Sequence, residues 1–170
     1  MEYYYILLAI LLAIGFYTDV RTSLLPNWLT MSGVVCGLLF HVIMNGISGL
    51  LFSLLGMFVS AGILLLLYVF KALGAGDVKL FAAIGAITGM QFSLYALMYS
   101  IIFAGMIGLV LLLVRREFVR RMFYACYRIF NSILSRDMKG LDDFKKFEST
   151  RFPFMYAVLP GVLLTVYYFL

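Results

Sequence analysis

The chain has 170 residues, 65% of them hydrophobic and only 12% charged, with a mean hydropathy of +1.07 and a formal net charge of +5. Soluble domains run near half apolar and a quarter charged, so a water-soluble globule is excluded and a bilayer is the solvent that fits. The apolar runs are continuous rather than alternating over about ten positions, which excludes an outer-membrane barrel and predicts an all-α polytopic membrane helix bundle.

A hydrocarbon core about 30 Å thick asks for about 20 mostly apolar residues per span. In chain order the runs are 3–17, 28–44, 50–70, 78–88, 92–114 and 154–170, giving six expected spans in a single membrane domain over 1–170. The first run opens on Met1-Glu2, without a basic flank and without a small-residue cleavage site before Asp19. It is expected to stay in the mature protein. The fourth run is too short to cross alone, so it is expected either to borrow from the loop before it or to be broken and shielded by protein.

Lys and Arg collect on the cytoplasmic side of a membrane protein. With six spans, all thirteen basic residues fall in the segments after spans one, three and five: Arg21, Lys71, Lys79 and ten more in 115–151. The opposite side carries Glu2 as its one charge. This predicts a multi-pass protein of the inner (plasma) membrane with both termini outside.

Within 115–151, Phe118, Met122, Phe123, Ile129, Phe130, Ile133 and Leu134 recur at helical spacing among ten basic and five acidic residues. That pattern fits a basic amphipathic helix on the anionic cytoplasmic leaflet, or else a solvated connector. Topology accounts for the positive charge, so the expected partners include membrane lipids and exclude nucleic acid.

Cys36 and Cys126 form no CxxC, and His41 has no partner at metal-ligand spacing. The thiols are given no role and His41 is read as a hydrogen-bonded or boundary histidine; no metal and no cofactor are expected. The tyrosines at positions 3–5 and the aromatic residues at 167–169 mark the outer interface.

Acidic residues at span boundaries are few. Asp19 ends the first run and Asp77 opens the fourth, both on the expected cytoplasmic side. An ionisable group at membrane depth costs at least about 2.5 kcal/mol, so one that remains is a functional candidate facing the bundle interior; the alternative is a pair of carboxylates in interfacial water. Gly74 and Gly76 precede Asp77 in Leu73-Gly74-Ala75-Gly76-Asp77-Val78-Lys79-Leu80 and allow close backbone approach. Pro26 and Asn27 read as a turn into the second span, with Asn27 a candidate N-cap.

Three features together resemble the type IV prepilin peptidases, membrane aspartyl proteases of the GxGD class. They are Asp19 followed by Arg21 and Leu25-Pro26-Asn27, the GAGDVKL block around Asp77 and Lys79, and the Pro153-Phe154 pair before the last span. GxGD alone is a short string; the upstream boundary Asp, the Val-Lys-Leu that follows and the topology make it specific. The resemblance implies an aspartic endopeptidase with Asp19 and Asp77 catalytic, and Gly74, Gly76, Lys79, Arg21, Pro26, Asn27 and Pro153 supporting or touching substrate. Lys79 and Arg21 also serve as positive-inside markers, and the residues alone leave that choice open. The implied partners are prepilin or pseudopilin precursors, cut after a Gly at the cytoplasmic boundary of an apolar helix. Bifunctional members carry a further region with paired CxxC motifs and methyltransferase activity; this chain has neither, so peptidase activity alone is expected.

An aspartyl dyad needs one carboxylate to take a proton from water and one carboxylic acid to polarise the scissile carbonyl, so the pair shares a proton. Asp77 opens a helix and Asp19 closes one, which by helix dipoles assigns Asp77 as base and Asp19 as acid. Two rival readings remain at this point: a small ion-coupled carrier, against which the absence of an internal repeat speaks, and a non-enzymatic subunit of a pilus or secretion machine. Oligomeric state is not set by the sequence.

Overall fold

The computed structural model describes residues 3–22, 25–70, 73–114 and 154–169. They group into two units, Met1–Ala104 with Phe152–Leu170, and Gly105–Arg151; of the second, only the end of one helix is described. The expected amphipathic segment 115–151 lies outside the described residues, as do Lys71, Cys126 and Pro153.

Among the described residues every regular element is helical: α1 (Tyr3–Thr22), α2 (Asn27–Val69), α3 (Ala75–Val114) and α4 (Met155–Phe169). The first three are long and apolar enough to cross a membrane, while α4 has 15 residues. This is an all-α membrane bundle, with four helices among the described residues where six spans are expected. The reason lies in two glycines. Expected spans two and three form one helical run interrupted at Gly46 (φ 59, ψ −137), and spans four and five form another interrupted at Gly89 (φ 81, ψ 179).

Both glycines sit in the left-handed half of the map, where a Cβ is strained. The chain doubles back at the first: Gly49 lies against the backbone carbonyl of His41, whereas residues eight apart in a straight helix are separated by about 12 Å. It doubles back at the second as well. Ser100 meets Gly161 while Phe92 meets Phe169, so the half of α3 after Gly89 runs antiparallel to α4. The half before Gly89 is the centre of the bundle, with every residue from Ala83 to Gly89 buried.

The inward stripes explain how the helices meet. In α2 the buried positions before the break are Leu29, Thr30, Gly33, Gly37 and His41, and after it Gly49, Ser53, Gly56, Ser60 and Leu64. These are mostly small residues, the composition that lets membrane helices approach where lipid supplies no hydrophobic drive. Gly37 lies on the backbone of Ala86 and Ile87, and Gly56 on the carbonyl of Gly85. The outside is as apolar as the inside. Ile43, Ile47, Phe70 and Tyr167 are 78 to 85% exposed, which suits lipid and not water.

Breaking α3 at Gly89 strips the carbonyls just before it of their helical donors, and in a membrane such groups need another partner. Ser53 Oγ donates to the Ala86 carbonyl at 2.6 Å, and His41 Nε2 bonds the Ile87 carbonyl at 2.8 Å. His41 is thus the hydrogen-bonded histidine that was expected, buried and holding the end of the central half-helix.

Candidate active site

The buried positions of α1 are Leu8, Leu11, Leu12, Gly15 and Asp19, spaced at three and four. Asp19 therefore ends the inward stripe, which is why a carboxylate inside an apolar helix points at its neighbours and is 6% exposed. Its Oδ2 accepts the Met155 N–H at 3.0 Å. That N–H belongs to the first turn of α4, one of the orphan donors every helix start leaves unmatched. A side chain of α1 thus caps α4, 136 residues away.

Asp77 is held differently. Its N–H donates to the Gly74 carbonyl at 3.1 Å and its Oδ2 accepts the Gly74 N–H at 3.0 Å, the return half of a capping box at the start of α3. Gly74 has little room for a side chain there, since a Cβ would lie 3.3 Å from the Asp77 carboxylate.

The Leu25-Pro26-Asn27 segment joins the two aspartate-bearing helices. Leu25 packs on Gly76, where a Cβ would fall 3.3 Å from the Leu25 Cβ, and on Gly15, where one would fall 3.7 Å from the Leu25 Cδ2. Pro26 is the N-cap of α2, its carbonyl accepting the Leu29 N–H at 3.1 Å. Asn27 is consequently the first helical residue and not the expected cap. Its side chain is used elsewhere: Lys79 Nζ donates to Asn27 Oδ1 at 2.8 Å, tying the start of α2 to the start of α3.

Arg21 stands apart from the other candidates. It donates to Tyr17 Oη at 2.9 Å on the exposed side of α1, two residues from Asp19 and so on another face. Phe154 is the described half of the Pro-Phe pair; its carbonyl accepts the Ala157 and Val158 N–H groups at 2.9 and 3.1 Å and starts α4.

The structure thus brings together Asp19, Asp77, Gly74, Gly76, Pro26, Asn27 and Lys79, and adds two groups that the sequence reading did not single out, Leu25 as a wedge and the Met155 N–H as a donor. It also removes the dipole argument for separating the carboxylates. Asp19 lies near the end of α1, but its oxygen sits on the start of α4, so both carboxylates meet a helix N-terminus. Among the described residues no group of three or more His, Cys, Asp or Glu is gathered as metal ligands.

No curated protein and no solved structure matches the chain. A family model, the type IV leader peptidase family, matches residues 6–109, a stretch that includes both aspartates, the Leu25-Pro26-Asn27 turn, the glycines before Asp77 and Lys79. With more than half of its length under that match, this membrane-embedded helical chain belongs to the type IV leader peptidase family.

Proposed function

We propose that this protein is an aspartic endopeptidase that removes the basic leader from type IV prepilin-like or pseudopilin precursors, with Asp19 and Asp77 as its catalytic dyad. The observation that carries the reading is the matched tethering of the two carboxylates. Each has one oxygen on a backbone N–H at 3.0 Å, leaving the other for water or substrate.

In the mechanism one carboxylate takes a proton from water as the water oxygen bonds to the scissile carbonyl carbon, while the partner, as the acid, donates its proton to the carbonyl oxygen. The tetrahedral adduct then breaks its C–N bond as the proton held by the first carboxylate passes to the leaving nitrogen and one adduct hydroxyl returns its proton to the partner carboxylate. A carboxylic acid and an amine result, and the dyad again shares one proton. No cofactor enters these steps. A helical segment hides its carbonyls in intrahelical bonds, so the leader junction is cut in an extended form. Gly74 and Gly76 give such a strand room beside Asp77.

The topology that serves this chemistry has six crossings, with Gly46 and Gly89 as the two outer reversals, both termini outside and the dyad at the cytoplasmic boundary of the inner membrane. The distribution of all thirteen basic residues supports it. On this reading the chain acts as one peptidase domain. Co-expression with a candidate prepilin from the same genome tests the function. Leader removal should be seen with the wild type and lost with Asp19→Ala and with Asp77→Ala at equal membrane levels; cleavage persisting in both variants would sink the reading.

A further inference from the structure

We propose that the last helix belongs to the catalytic machinery: the Met155 backbone N–H is the positioning donor that fixes Asp19, and α4 stays docked on α1 through turnover. This rests on the reading of Asp19 as a dyad member. The joint has little play. Around the 3.0 Å bond from Met155 to Asp19, the Met155 side chain fills the space over Gly15, one turn earlier on the same face of α1, where a Cβ would fall 2.7 Å from the Met155 Cε. On the other side Phe16 meets Tyr156 edge to face, with ring centroids 5.5 Å apart. Three contacts from residues 15, 16 and 19 of α1 hold the start of α4.

A backbone donor suits this task. It has no side-chain torsions of its own, and its direction is set by the helix it starts, so the Asp19 oxygen is held in register with α4 and not with a mobile side chain. An acceptor placed on this orphan donor also relieves the start of α4, which lies among buried residues: Met155, Ala157 and Val158 are fully buried. The same bond therefore completes a helix start and aims a carboxylate.

The donor can be deleted without deleting the helix. Met155 is the first helical residue, where proline is tolerated, and N-cap residues in general take the extended backbone that a residue preceding proline requires. Purified enzyme and a prepilin substrate are compared for wild type, Asp19→Asn, Met155→Leu and Met155→Pro. Met155→Leu keeps the N–H and changes the side chain, and is expected to lower kcat less than about threefold. Met155→Pro removes one hydrogen bond to a charged group and is expected to lower kcat by about 10- to 100-fold with KM within about twofold. If Met155→Pro tracks Met155→Leu, the N–H does not position Asp19 and the proposal falls. If Asp19→Asn cleaves like the wild type, it is the dyad reading that fails instead.

Should the proline variant not accumulate in membranes, a second measurement decides. In a background with Cys36→Ser and Cys126→Ser, Phe16→Cys and Tyr156→Cys are bridged by a short, reducible thiol cross-linker. Activity retained in the bridged enzyme supports a joint that stays closed. Activity lost on bridging and regained on reduction shows that α1 and α4 must part, and overturns the proposal.

Discussion

The two ends of the bundle meet the same problem with opposite chemistry. Where the chain breaks at Gly89, the groups left without partners are carbonyls, and side chains of α2 answer them: Ser53 on Ala86 and His41 on Ile87. Where α3 and α4 begin, the groups left over are N–H donors, and carboxylates answer them: Asp77 on Gly74 and Asp19 on Met155. A membrane forbids orphan backbone groups at either end. Only the second solution puts acids at the helix starts, so a requirement of folding also places the two carboxylates of the proposed dyad.

This contrast separates variants that stop cleavage from variants that loosen the fold. The largest effect is expected from Asp77→Asn. Its amide oxygen still accepts the Gly74 N–H, so thermal stability in detergent should be nearly unchanged, while the rate of leader removal should fall by about 10² to 10⁴. An equally large loss of stability would put Asp77 in the fold and not in the reaction. At the other end Gly89→Ala combines a disfavoured φ with a collision against the Phe52 ring, and should cost about 3 kcal/mol. Gly46→Ala meets nothing within 4 Å and carries the φ strain alone, about 1 to 2 kcal/mol. Equal melting shifts for the two alanine variants would show that the Phe52 contact does not matter.

His41→Leu and Ser53→Ala each abandon a buried carbonyl, a loss of about 1 to 3 kcal/mol apiece. Cleavage per folded molecule should stay at the wild-type level; a drop in kcat at unchanged stability would contradict the division between the ends. The smallest effect concerns the exposed tie between Lys79 and Asn27. In a double-mutant cycle with Lys79→Met and Asn27→Ala, the coupling read from kcat/KM should be about 0.5 to 1 kcal/mol. Strict additivity would mean that the tie seen in the structure does nothing for the reaction.

Much of this was legible in the sequence for one reason: charge is scarce in the chain. Against so apolar a background Asp19 and Asp77 stand out, and the glycines beside Asp77 are close enough in sequence to be read with it. The apolar runs leave 45–49 and 89–91 between them, and the structure shortens each to a single non-helical residue, Gly46 and Gly89. A hydropathy window cannot register so tight a reversal, since one glycine does not interrupt an apolar run.

Other features depended on which faces meet. The bonds from Lys79 to Asn27, His41 to Ile87 and Met155 to Asp19 join residues 52, 46 and 136 positions apart, and no local pattern encodes those distances. Asn27 illustrates the point. Its type and its place after Pro26 favour a cap, yet Pro26 takes that position and a lysine from α3 takes the side chain.

The short helices set the depth at which the chemistry takes place. At 1.5 Å per residue, the 15 residues of α4 reach about 22 Å, and the half of α3 before Gly89 about 21 Å. A hydrocarbon layer about 30 Å thick exceeds both by roughly 8 Å. Both elements begin beside the two aspartates, so the shortfall falls on that side if their far ends lie level with the opposite surface. Closing that gap takes a thinned leaflet or an inlet of water. On the proposed reading, such thinning would bring water nearer to the two acids.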